Sequence, residues 1–153
     1  MVGVDVTASL DTGAVPQRLF DLVADLGTYP DWLDIVPRAV PADADGDDPG
    51  PAWSVDLRAQ VGPLRRSKRL RMVRSEHESP HRVVFERREL DGRSHSPWVL
   101  TADVVPGADG STSSLTMGLH YGGTLWVPML DRLLADEIER SRVRLVGVLE
   151  RAA

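Results

Sequence analysis

Polar side chains that fall where the surrounding pattern demands apolar ones are the residues here most able to do chemistry. Val83 and Phe85 share one face of a predicted strand over Arg82–Leu90, and the same parity carries Arg87 and Glu89 inward with them. Leu115, Met117 and Leu119 do the same for Tyr121. Glu137 and Ser141 interrupt a helical apolar stripe between Leu134 and Leu145 that also contains Ile138. A carboxylate on a buried face must pair, change its protonation or line a polar pocket. In one reading Arg87, Glu89, Tyr121 and Glu137 orient or polarise an oxygenated ligand, Arg87 with Tyr121 or Glu137 serving as catalytic candidates. In the other, Arg87 and Glu137 form a structural ion pair, or strand twist and bulges carry them into solvent. Parity and the helix stripe predict that Arg87 and Glu137 approach each other, with Tyr121 nearby.

Other signatures are missing. The sequence has no P-loop, dinucleotide fingerprint, Gly-x-Ser-x-Gly or His-Glu-x-x-His. Asp43, Asp45 and Asp47 open like a calcium loop, but Asp48 stands where glycine is needed and Ser54 where glutamate is. His77 and His81 are four apart but Pro80 lies between them, and no metal or nucleotide cofactor is predicted. Parity turns His95 and His120 towards solvent.

The chain has 153 residues, the length of one domain, and no cysteine, which removes disulfides and thiolate chemistry. A single domain over residues 1–153 is expected. The opening Met1-Val2-Gly3-Val4-Asp5 has neither a cationic nor an apolar leader region, and no apolar run suffices for a membrane span. A cytoplasmic protein is the expectation. Its net charge of −5 is unevenly spread. Acidic residues dominate the first third, and the cluster Arg65, Arg66, Lys68, Arg69, Arg71, Arg74 dominates the middle. With no aromatic residues interleaved, that cluster reads as the solvent face of a strand, and no nucleic-acid partner is predicted.

The elements that would position these residues follow from periodicity. Val2, Val4, Val6, Ala8 and Leu10 alternate as a half-buried strand. Asp11 or Thr12 would cap a helix with Pro16 in its first turn, and Gly27 would end it. Pro30 opens a second short helix carrying Trp32, Leu33 and Val36. Residues Pro41–Pro51 read as a solvated loop. Period two then returns: Trp53, Val55, Leu57, Ala59 and Val61; Leu70 and Met72 within Leu64–Glu78; Arg82–Leu90, turned by Asp91-Gly92; Trp98, Leu100, Ala102 and Val104; and Leu115–Tyr121. A helix from about Leu130 to Arg151 closes the chain. Strands joined by short turns predict an antiparallel meander wrapped around that helix, an α+β architecture.

This order resembles the START and Bet v 1-like (SRPBCC) superfamily, including its polyketide cyclase/dehydrase-type members. The likeness rests on Val4-Asp5-Val6-Thr7-Ala8-Ser9 leading into Val15–Asp25, on Tyr29-Pro30-Asp31-Trp32-Leu33, on Arg82-Val83-Val84-Phe85-Glu86, and on the final helix after Leu125-Trp126-Val127-Pro128. The resemblance implies a helix-grip fold: a curved antiparallel sheet of about six or seven strands around the long helix, with two short helices after the first strand. It also implies a cavity for a hydrophobic ligand of lipid, polyketide or aromatic type. Parity assigns Trp53, Val55, Leu57, Leu70, Met72, Phe85, Trp98, Leu100 and Met117 to its wall, and a largely apolar space of a few hundred Å³ is expected. Trp32 and Trp126 would border the mouth. Arg87, Glu89, Tyr121, Leu134, Glu137, Ile138 and Ser141 complete the candidate ligand-binding set. Binding of a hydrophobic small molecule is the leading function; a cyclase, aromatase or dehydratase in the same cavity is the alternative. A protein-interaction module, such as a regulator or antitoxin, is a third, and a homodimer is left open.

Overall fold

The alternating segments become seven strands, seen in a computed structural model that describes residues 4–123 and 127–151, the backbone alone for residues 61, 64, 127–136, 138 and 139. They are β1 (Val4–Thr12), β2 (Arg38–Ala42), β3 (Ala52–Val61), β4 (Leu64–Glu78), β5 (Arg82–Arg87), β6 (Trp98–Pro106) and β7 (Ser113–Tyr121). Helix α1 (Pro16–Val23) and a 3-10 helix (Leu26–Asp31) follow β1, and α2 (Val127–Arg151) closes the chain. All pairings are antiparallel, in the order β1-β7-β6-β5-β4-β3-β2.

That order makes curvature necessary. Helix α2 touches both β1 and β3. In a flat sheet those strands would stand about 24 Å apart, at about 4.8 Å per neighbour, and a helix about 10 Å wide could not reach both. The sheet therefore curls around the helix. A bulge in β4 between Arg74 and Glu76 helps to bend it. The turn between β3 and β4 runs through Gly62, whose φ of 57° suits glycine best.

The concave face over β3, β4 and β5 is closed by aromatic packing. Tyr29 and Trp32 lie with ring centroids 4.6 Å apart. Phe85 meets Tyr29 edge-on at 6.3 Å and Trp53 edge-on at 5.6 Å. Tyr29 is fully buried and its hydroxyl donates to the Val23 carbonyl at the end of α1. Burial, with Asp25 adding to it, pushes the phenol pKa up, so it remains a neutral donor. Arg74 supplies a second cap there, donating to the Ala24 carbonyl at 3.2 Å.

The convex face carries a polar staple. Arg71 grips Asp48 at 2.6 Å and the Asp43 carbonyl at 2.8 Å. Arg88 reaches the Asp47 carbonyl. The acidic stretch expected to be a free loop is thus tied back to the sheet. Its first two residues, Pro41 and Ala42, end β2, an edge strand that sequence alternation does not reveal. At the opposite edge Arg142 of α2 donates to the Ser9 carbonyl of β1.

Other boundaries differ from expectation. Asp11 and Thr12 belong to β1; Val15 is the N-cap of α1 and contributes no side-chain bond, although Pro16 takes the first turn as expected. The Thr12 hydroxyl accepts from the Ala14 N–H and bonds Ser113. Helix α1 stops at Val23, and Asp25 accepts from the Gly27 N–H, so the next turn begins before Pro30. Strand β5 ends at Arg87 because Glu89 leaves the ladder to accept from the Arg71 N–H. Asp91 bonds the Arg93 N–H and His95, shaping a longer connection in place of a tight hairpin.

Two outcomes are expected. Phe85→Ala removes a fully buried ring at the centre of the cluster and should destabilise by about 3–5 kcal/mol in urea unfolding. Hydrogen bonding from Arg71 holds the Asp48 carboxyl below its ordinary value. Its stabilisation is therefore complete above the unfolded value of about 4 and is lost as pH falls through the lowered one. The melting-temperature gap between wild type and Asp48→Asn should hold at neutral pH and close in acid; a pH-independent gap would sink this assignment.

Candidate functional site

Inward residues of the sheet are not equally covered. Along β3 to β5, Trp53, Val55, Leu57, Leu70, Met72, Val83 and Phe85 are buried. Along β1, β6 and β7, Leu10, Leu100, Met117 and Leu119 are only partly buried, although they share the inward parity. The register sets these side chains opposite one another: Val6 with Leu119, Ala8 with Met117, Leu10 with Leu115. The aromatic cluster stops short of this half, and a cavity of about 110 Å³ remains. Its described lining is mostly apolar: Val6, Ala8 and Leu10 from β1, Leu100 from β6, Leu115, Met117 and Leu119 from β7, and Trp32, Leu33 and Ile35 from the opposite wall. Ser9, Glu137 and Ser141 are its polar members.

Glu137 is held firmly. Its side chain is 7% exposed. One carboxylate oxygen accepts from the Ile35 N–H at 3.2 Å and the other from Arg140, also at 3.2 Å. The first bond ties α2 to the segment between the 3-10 helix and β2, where Ile35 has a backbone donor outside any ladder. Two donors satisfy the buried charge.

Arg87 does not meet it. The guanidinium is inward and nearly buried as parity requires, but it donates to Glu89 at 2.7 Å and to the Ser96 carbonyl at 3.2 Å. The expected Arg87–Glu137 pair is therefore replaced by two local arrangements. Glu89 lies two residues along the same chain, and Glu137 finds a backbone donor. Tyr121 packs its ring against Trp98, centroids 4.5 Å apart. Gly123 lies so close to the Tyr121 hydroxyl that any Cβ there would collide.

Of the residues proposed from sequence, the structure brings Trp32, Leu100, Met117, Glu137 and Ser141 to the cavity. Trp53, Val55, Leu57, Leu70, Met72, Phe85, Arg87, Glu89, Trp98 and Tyr121 lie outside its described lining, in the closed half of the interior or beside it. The cavity is smaller than the few hundred Å³ expected because the aromatic cluster fills that half. Trp126 lies outside the described residues, as do the side chains of Leu134 and Ile138. Sequence reasoning missed the β1 wall and Ile35. The β1 alternation was available, and small Ala8 opposite Met117 was a signal of space.

Comparisons with known proteins agree with this architecture. Residues 2–150 match the family described as polyketide cyclase / dehydrase and lipid transport. No curated protein matches the chain in sequence. A START superfamily protein from Mycobacterium smegmatis is 17% identical, with a TM-score of 0.73 over 97% of this chain and 99% of that one. A protein from Thermus thermophilus is 15% identical, with a TM-score of 0.69 over 98% and 99%. Ara h 8.0201 is 10% identical, with a TM-score of 0.62 over 97% and 98%. At these identities the likeness is one of fold.

The Glu137 bonds can be separated by mutation. Glu137→Ala leaves the Ile35 N–H without an acceptor and should cost about 1–3 kcal/mol. Glu137→Gln keeps a neutral acceptor and should cost less. Equal losses in urea unfolding would show that the Ile35 bond contributes nothing.

Proposed function

Since the chain belongs to the polyketide cyclase / dehydrase and lipid transport family, we propose that it holds a hydrophobic small molecule in the cavity bounded by β1, β6, β7, Trp32 and Ile35. One observation carries the reading. Four apolar side chains that face inward from β1, β6 and β7, those of Leu10, Leu100, Met117 and Leu119, are left partly uncovered by the protein's own packing. Interiors ordinarily close to near-crystalline density, so unfilled apolar space of this kind invites a guest. Size supports it too: an engineered apolar cavity of about 150 Å³ stays dry and takes up benzene, and about 110 Å³ suits a single ring or a short chain.

The cyclase or dehydratase reading asks for a cation and a proton-transfer group on the cavity wall. Of Arg87, Tyr121 and Glu137, only Glu137 lines it, and both its oxygens already accept bonds. Binding requires nothing beyond the cavity.

Native mass spectrometry of freshly purified protein should reveal a co-purified hydrophobic compound. Ala8→Phe, which builds a ring into the cavity from β1, should weaken binding of an apolar fluorescent probe about tenfold or more with the fold retained. Unchanged probe affinity in that variant would place any ligand elsewhere.

A further inference from the structure

Most arginines of this chain are spoken for. Arg38 and Arg69 hold Asp56, Arg71 holds Asp48, Arg82 holds Asp103, Arg87 holds Glu89 and Arg88 holds Glu86. Arg18 and Arg74 are bound to backbone carbonyls, Leu149 and Ala24. Carboxylates are plentiful, 23 against 18 basic residues, so an arginine need not lack one. Yet at the tip of the β3–β4 hairpin, Arg58, Arg65 and Arg66 have no carboxylate partner among the described residues. Arg65 donates to the neutral Gln60 at 3.2 Å.

These three residues border an open cleft of about 560 Å³, together with Arg140; the register sets Arg58 and Arg65 on one face of the hairpin and Arg66 on the other, so they rim it from both sides. Its two acids are already taken: Asp34 by Arg144, Glu137 by the Ile35 N–H and Arg140. A cationic concavity on a chain of net charge −5 is a local departure from the molecule's own field. Its position is the decisive point. Ile35 and Glu137 line this cleft and also the apolar cavity, so the two spaces adjoin.

We infer that the ligand is an amphiphile with an anionic head, its apolar part in the cavity and its carboxylate or phosphate in the adjoining cleft that Arg58, Arg65, Arg66 and Arg140 border. This rests on the reading of the cavity as a ligand site and adds the charge and orientation of what it holds. Guanidinium groups suit both heads, since their planar donor fork matches carboxylate and phosphate oxygens. The apolar end is a single ring or a short chain, and the head emerges beside Ile35. Glu137, satisfied by its two donors, marks the boundary and disfavours an anion seated deeper. A neutral apolar compound would use only half of what the surface offers.

Calorimetric titration with octanoate, octyl phosphate, octan-1-ol and inorganic phosphate tests this. At low salt, octanoate and octyl phosphate should bind about tenfold tighter than octanol, and the gap should narrow as salt screens the exposed arginines. In the double variant Arg58→Gln/Arg66→Gln, octanoate affinity should fall to that of octanol measured on the same variant. A retained melting temperature will confirm that this variant is folded. If octanol binds wild type as tightly as octanoate, the head-group inference is overturned and the cavity reading stands. Inorganic phosphate binding as tightly as octyl phosphate would also overturn it, by showing a free-anion site. If no octyl compound binds, the cavity reading falls and the inference with it.

Discussion

Four rings, Tyr29, Trp32, Phe85 and Trp53, fill the space between the first helical segment and the middle of the sheet, and the rest of the interior is arranged by what they leave over. They are held from behind, since the Tyr29 hydroxyl is spent on the Val23 carbonyl and Arg74 covers the next one. Such a plug cannot slide without breaking the buried Tyr29 hydrogen bond. The β3–β5 half of the concave face is therefore ordinary core. The space that remains lies over β1, β6 and β7, where Leu10, Leu100, Met117 and Leu119 keep the partial exposure of a wall facing it while Leu115, Ala102 and Val104 beside them are covered.

Charge follows the same partition. On the convex face arginines and carboxylates neutralise one another strand by strand, and the Arg71–Asp48 pair uses that attraction to fasten a long connection. At the hairpin tip the pairing lapses. Glu137 stands between the apolar space and the cationic one and is the single carboxylate, among the described residues, that both share. Its bond to the Ile35 N–H also joins α2 to the opposite wall, so local electrostatics and the position of the helix are set by one side chain.

Much of this architecture was legible in the sequence because it depends on period. Strand β3 alternates cleanly and β6 and β7 do so over most of their length, and the final helix announces itself by its stripe. Strand β2 was hidden because Pro41 and a short length erase alternation; the second short helix was foreseen but placed too late, because its start is set by Asp25 and not by Pro30. The site was harder to read. Parity correctly turned Arg87 inward but could not say that Glu89, two residues away, would reach it before Glu137 could. Nor can periodicity tell a covered inward face from an uncovered one. That difference lies in how far Trp32 and Tyr29 extend across the sheet.

The sheet curls without closing, so β1 and β2 each present an outer rim of backbone donors and acceptors. Such rims are where a second chain could add a strand and begin a filament. Each is blunted differently. Strand β2 is five residues long and carries Pro41, which offers no N–H to a newcomer. Strand β1 is longer, but Asp5 and Asp11 are exposed along it and Arg142 engages its Ser9 carbonyl. Uncovered apolar residues beside an open edge would make such pairing easier still. The proline, the flanking acids and the reaching arginine give this sheet that protection against self-association.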